Sequence, residues 1–283
     1  MAVLKGIDVS AWQGVIDWDA VKASGIKWAI IKAGGSDDGI YTDSKFERNY
    51  SECKRVGIPV GAYWFVGKGC ITTTDGEADA ERFLKLLKGK QFEFPVYMDC
   101  EVTSPSDKKG ATDAAIGFCR KLEKEEYYAG IYGSTYSTFQ SRLDDSRLTG
   151  FAHWVAQYAN SCTYWGDYGI WQYSSDGYVS GISGRTDMNL CYVDYPAKIK
   201  ERGLNGFKKA STSSNKTVST AKQIKYPLLK VDGIFGKQSV KRLQQMLNAE
   251  VGAKLEVDGI AGAKTWTALQ KYLNKWAEKE NKK

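Results

Sequence analysis

Histidine is almost absent: the chain has 283 residues and a single histidine, His153. A Ser–His or Cys–His nucleophile would have to run through that residue, which lies in the apolar stretch FAHWVAQYA, and zinc sites built on several histidines are excluded. The six cysteines (53, 70, 100, 119, 162 and 191) include no CxxC pair, so zinc ribbons and fingers are excluded too. In a chain of this length, without small-domain spacing, they read as free buried thiols. No apolar run approaches the roughly 20 residues of a membrane helix. The first residues, MAVLKGIDVS, lack the apolar region and cleavage site of a secretory signal. The expectation is therefore cytoplasmic synthesis without membrane insertion, with any action outside the membrane depending on separate release. Catalysis, if present, falls to carboxylates and needs no metal or cofactor.

The balance of 42% hydrophobic and 26% charged residues is that of a globular protein. Its net charge of +7 is unevenly distributed. Residues 204–283 hold 16 basic and 6 acidic side chains, a net of +10, which leaves 24 basic and 27 acidic in residues 1–203, a net of −3. The stretch KKASTSSNKTVSTAKQ (208–223) has no large apolar residue and reads as a flexible linker. Three segments follow: a domain over 1–203, a linker over 204–222 and a small domain over 223–283.

The C-terminal segment repeats itself. VDGIFGKQSVKRLQQML (231–247) and VDGIAGAKTWTALQKYL (257–273) share 8 of 17 positions at an offset of 26 residues. In each copy the DG pair predicts a turn, and a second glycine (Gly236, Gly262) lets the chain tighten before a helix. Val240, Leu243 and Leu247, like Trp266, Leu269 and Leu273, then space as one apolar face. This repeat resembles the peptidoglycan-binding domain family, over about residues 223–275. The resemblance implies a wall-anchoring module without chemistry of its own. Its candidate contact residues are Asp232, Gly233, Phe235, Asp258, Gly259 and Trp266. Another helical bundle, or a DNA-binding helix-turn-helix suited to the positive charge, are the alternatives, although the latter gives the DGxxG turns no role.

The N-terminal segment alternates β-branched or aromatic runs with amphipathic ones. Strands are predicted over 5–10, 27–34, 59–66, 94–101, 127–134, 153–159 and 169–175, and helices over 18–25, 45–57, 76–89 and 112–126. Such alternation predicts an α/β fold with a parallel sheet closed into a barrel. Loops rather than helices separate the later strands, so the barrel is expected to be irregular. Active sites of such barrels gather at the carboxyl ends of strands. Asp8 closes KGIDVS, Asp99 and Glu101 close FPVYMDCE, and Asp187 follows a Gly-rich loop. Side chains alternate along a strand, so Tyr97, Asp99 and Glu101 should face the barrel interior while Val96, Met98 and Cys100 face the helices. Carboxylates held this close raise one another's pKa toward the range of a general acid.

GIDVSAWQG, GAYWF, the strand ending DCE, GIYGS, WVAQY, WQYSS and DMNLCY occur in the order seen in lysozymes of glycoside hydrolase family 25, the Chalaropsis type. The likeness covers essentially residues 1–200. It implies an irregular (β/α) barrel that cleaves the β-1,4 bond between N-acetylmuramic acid and N-acetylglucosamine. The family's DxE motif falls on Asp99 and Glu101, and its other acids on Asp8 and Asp187. Trp64 in GAYWF stands where many relatives carry histidine. Glu101 is then the general acid, and Asp99 orients the substrate's own acetamido group as nucleophile. A water-activating Asp8 with inversion is the other scheme, and i,i+2 spacing alone does not choose between them. Tyr63, Trp64 and Tyr132 are candidate sugar platforms, with Gln157 as hydrogen-bonding partner. With a wall-binding tail and no signal, the whole resembles a bacteriophage endolysin freed by a holin pore, acting on peptidoglycan, with the basic tail attracted to anionic wall polymers. A non-catalytic wall lectin and a chitinase-like or glucosaminidase β-glycosidase are the competing readings.

Overall fold

A computed structural model describes residues 3–103, 105–209, 229 and 235–281. The chain divides into two compact units, Met1–Ser213 and Ser214–Lys283.

The first unit is a closed, mixed barrel of eight strands: β1 (Leu4–Val9), β2 (Trp28–Gly35), β4 (Val60–Phe65), β5 (Val96–Asp99), β6 (Ala129–Ser134), β7 (Ala152–Ala156), β8 (Ile170–Gly177) and β9 (Thr186–Cys191). A two-residue strand, β3 (Tyr41–Thr42), pairs with the end of β2. The ladder runs β1-β9-β8-β7-β6-β5-β4-β2, and a parallel β1–β2 pairing closes it. All barrel pairs are parallel except the two made by β9, to β1 and to β8. Helices α1 (Trp18–Ala23), α2 (Phe46–Val56), α3 (Thr73–Leu87) and α4 (Lys108–Lys124) cross over between the early strands. Loops join β6 through β9, as the sequence predicts, and α5 (Tyr195–Arg202) follows β9.

Two cores result from the two faces of each strand. Ala29, Ile31, Val60, Ala62, Val96, Met98 and Cys100 join Phe83 and Phe118 in the layer between barrel and helices. Trp28, Ile30, Tyr97, Tyr132 and Trp154 fill the barrel itself. Aromatic side chains fit inside because glycines face them: a Cβ at Gly6 would lie 2.2 Å from the Trp28 ring and one at Gly130 would lie 2.5 Å from Tyr97.

Two expectations are corrected. Residues 181–190 are not merely a Gly-rich loop, since Thr186–Cys191 forms the antiparallel strand that closes the barrel. Its inward side chains, Asp187 and Asn189, are polar and mask the usual strand signature. The first unit also runs past residue 203. Asn205, fully buried with φ 55°, donates from Nδ2 to the Phe92 and Phe94 carbonyls, and its Oδ1 accepts from Tyr128 N–H. Leu204 and Phe207 pack beside it. The residues expected to begin the linker therefore plug the amino-terminal end of the barrel.

In the second unit, α6 (Lys237–Val251) and α7 (Ala263–Glu280) each start after an extended glycine, Gly236 and Gly262, so the repeat recurs as local structure. Asp258 Oδ1 accepts from Ile260 N–H at 2.8 Å and Gly259 takes φ 82°, forming the DG turn. Gln244 of α6 clamps that turn by donating to Asp258 Oδ1 and accepting from Gly259 N–H. Asp232 and Gly233 of the first copy lie outside the described residues. Val240 and Leu247 are buried, but their counterparts Trp266 and Leu273 are exposed, and Thr265 and Ala268 are buried instead. The second copy thus turns a different face inward from the one its apolar spacing predicts.

Candidate active site

β1 and β5 run parallel in the closed barrel, so Asp8 and Asp99 emerge at the same, carboxyl-terminal mouth. Glu101 follows β5 by two residues. Because β9 runs the other way, Asp187 at its beginning arrives directly opposite Asp8 in the ladder. The four acids line one cleft of about 290 Å³ with Ser10, Trp12, Gln13, Lys32, Tyr63 and Phe65. Asp8 and Asp99 are buried at its floor, while Glu101 is accessible at its side.

Burial raises the pKa of all four. For Asp8 the Asp187 charge adds to it, for Asp99 the Glu101 charge, and for Glu101 the Asp187 charge. Lys32, from β2, pulls Asp99 and Glu101 the other way. Its ammonium sits among the Phe65, Tyr41 and Tyr63 rings, 4.6, 5.3 and 5.9 Å from their centroids, an aromatic cradle that holds a cation beside the acids. One carboxylate oxygen, Asp99 Oδ1, has no hydrogen-bond partner among the described residues. The cleft therefore combines carboxyl groups whose pKa values are raised with one buried carboxylate oxygen that has no hydrogen-bond partner among the described residues.

Of the four residues expected to hold sugar, only Tyr63 lines the cleft. Trp64, its neighbour in β4, points outward by strand alternation and is buried against Phe83, so no sugar reaches it. Tyr132 lies beneath the acids, 4.3 Å from the Trp154 ring, and its hydroxyl donates to Gln172 Oε1. Gln157 holds a loop instead: its amide donates to Thr163 Oγ1 and accepts from Thr163 N–H, each at 2.8 Å. Asp258 and Gly259 build the turn of the second unit, whereas Phe235 and Trp266 present exposed rings.

Lys32 and Trp12 went unnoticed in the sequence. Trp12 is 90% exposed at the cleft on a three-residue turn, Ala11–Gln13, that is tightly held. A Ser10–Gln13 capping box closes the turn, and Asp43 Oδ2 accepts from Ala11 N–H at 2.8 Å. A large apolar ring held in water on a fixed backbone is a stacking surface, and its signal was the Trp in DVSAWQG directly after the Asp8 strand. Lys32 was legible only as the lone charge inside an otherwise apolar strand. The single histidine stays out of the site. His153 is buried, with Nε2 3.0 Å from Asp145, an acid that also accepts from Tyr164 and Trp165.

Known proteins share sequence and fold with this chain. The sequence profile of "Glycosyl hydrolases family 25" matches residues 7–182. An "Autolytic lysozyme" of Clostridium acetobutylicum is 27% identical over 95% of this chain and 72% of its own length. The modular autolysin LytC from Streptococcus pneumoniae, solved with a synthetic peptidoglycan ligand, is 28% identical with a TM-score of 0.61, over 67% of this chain and 47% of that one. The CTP1L endolysin is likewise 28% identical, TM-score 0.61, over 70% of this chain and 69% of that one. This chain thus spans about half of the LytC structure. The protein belongs to glycosyl hydrolase family 25 and is a glycoside hydrolase.

Proposed function

We propose that the protein is an endolysin-type muramidase, cleaving the β-1,4 bond between N-acetylmuramic acid and N-acetylglucosamine in peptidoglycan. The observation that carries this is the convergence of Asp8, Asp99, Glu101 and Asp187 in one cleft, with every carboxyl pKa raised, in a chain of this family. Glu101, at the accessible side of the cleft and with its pKa raised by burial and by the Asp187 charge, delivers its proton to the leaving glycosidic oxygen. Asp99, in the lining of the cleft, orients and stabilises the acetamido group of the muramic sugar, which attacks the anomeric carbon through its own oxygen. Asp8 and Asp187 set the charge around Asp99. Tyr63 and the exposed Trp12 supply ring faces for the sugars.

The basic second unit, with 14 basic and 6 acidic residues over Ser214–Lys283 and a net charge of +8, anchors the enzyme to the wall and its anionic polymers. The likeness to the clostridial autolytic lysozyme over 95% of this chain supports a second unit serving the same end. The protein acts on the wall after release from the cell that makes it. The test is digestion of purified Gram-positive peptidoglycan by the wild type and by Glu101→Gln, with borohydride reduction and mass spectrometry of the fragments. Reduced muramic acid ends from the wild type alone are expected. Reduced glucosamine ends would overturn the bond assignment, and cleavage by Glu101→Gln would remove Glu101 from its role.

A further inference from the structure

Behind Asp8 lies a chain of buried polar groups that the proposed reaction does not itself use. Trp154 Nε1 donates to Asn189 Oδ1 at 2.8 Å, and Asn189 Nδ2 donates to Asp8 Oδ2 at 2.7 Å. Gln172 Nε2 donates to the same Oδ2 at 2.9 Å, while Gln172 Oε1 accepts from Tyr132 and Tyr158 at 2.8 and 3.0 Å. Asn189, Gln172 and Trp154 are all at most 1% exposed.

The chemistry of the partners fixes the direction of this chain. An indole can only donate, so Asn189 must turn its oxygen to Trp154 and its amide N–H to Asp8. Asp8 Oδ2 thus receives two N–H donors and has to be an acceptor. Asp8 stands directly opposite Asp187 in the ladder and shares its cleft, and two carboxyl groups so placed can share a hydrogen bond only if one carries a proton. That proton is then restricted to Asp8 Oδ1 and Asp187.

We propose that Asn189 and Gln172 are positioning residues that fix the rotation of Asp8 and hold the Asp8–Asp187 pair in the state with one proton and one negative charge. This rests on the muramidase reading of the cleft. The singly charged pair places one negative charge beside Asp99, whereas a doubly ionised pair would oppose that acid more strongly and a neutral pair would leave the cleft short of charge. The other groups facing Asp8 are Asp99, Tyr63, Tyr132 and Tyr158, each within electrostatic reach, while Glu101 and Lys32 share its cleft. Tyr158 is 58% exposed, so the chain of hydrogen bonds reaches from the surface through Gln172 to Asp8.

The experiment follows kcat and KM against pH on solubilised peptidoglycan strands, using the full chain. Asn189→Ala removes one donor to a carboxylate. The pair then takes up its second proton more readily, and the acid limb of kcat moves up by about one pH unit. kcat at the optimum falls about tenfold with KM little changed. Tyr158→Phe, on the exposed side, removes only a phenol and moves the same limb in the same direction by a smaller amount. It carries the test alone if Asn189→Ala does not fold. An acid limb unmoved in a folded variant would overturn the proposal, even if kcat fell, because a merely structural role does not shift a titration. Identification of the reduced sugar ends, run alongside on the wild type, separates the two readings: reduced glucosamine ends there would remove the muramidase reading instead.

Discussion

Replacing Asn205 with alanine tests where the catalytic unit ends. The side chain makes three hydrogen bonds, two of them buried, to the carbonyls of Phe92 and Phe94, and one partly buried, from the N–H of Tyr128. These tie the segment after α5 to the starts of β5 and β6, at the end of the barrel away from the cleft. Alanine leaves these three backbone groups short of a partner, and each costs about 1–3 kcal/mol. The residue sits at φ 55°, where asparagine is tolerated better than alanine, which adds about 1 kcal/mol. Neighbouring groups share the loss, so the sum is set at about 3–5 kcal/mol, a large part of the 5–15 kcal/mol typical of a domain. For a unit of this size that corresponds to a fall of roughly 10 °C in Tm. Thermal unfolding followed by circular dichroism, on the full chain and on Asn205→Ala, measures it. Truncations ending at residues 203 and 209 provide the second arm, and only the longer one is expected to match the wild-type barrel. A loss below about 1 kcal/mol, or equal stability of the two truncations, would refute the reasoning.

Trp64→Ala and Trp12→Ala separate core from surface. The first should lose about 3–5 kcal/mol by cavity formation, while the second keeps its Tm and raises KM severalfold, read by unfolding and by initial rates. Asp99→Asn should abolish activity yet raise Tm at neutral pH. An acid whose folded pKa is raised stabilises only below its unfolded pKa and loses that contribution as pH rises toward the folded value, so at neutrality Asp99 opposes folding. The same sign makes the alkaline limb of activity follow loss of the Glu101 proton, above the ordinary glutamate range, which a pH–rate profile reads. Wall binding by full-length Glu101→Gln should weaken steeply with added salt if the basic second unit drives it, and sedimentation with purified walls measures this.

Local pattern made much of the barrel legible. The alternation in PVYMDCE placed Tyr97 inside and Val96, Met98 and Cys100 outside, and the structure packs them so. The same alternation, applied to GAYWF, would have sent Trp64 outward once Tyr63 was placed inward. It was instead grouped with the sugar platforms because an aromatic at a strand end carries no label for its side of the sheet. β9 escaped because its inward residues, Asp187 and Asn189, are polar, so an apolar alternation was never there to find. In the second unit, the spacing of Trp266 and Leu273 copied that of Val240 and Leu247, yet the two copies bury different faces.

By itself the sequence determined the order of seven of the barrel strands and of the four helices between them, the acids at strand ends and the two-part division of charge, since these depend on side-chain periodicity and composition within a few neighbouring residues. Only the tertiary structure decided that Asp187 meets Asp8, that Asn189 and Gln172 aim two donors at one oxygen, and that Asn205 seals the far end of the barrel. Those contacts join residues more than one hundred positions apart. Barrel closure and the reversed direction of β9 bring them together, and no local pattern in the chain encodes that meeting.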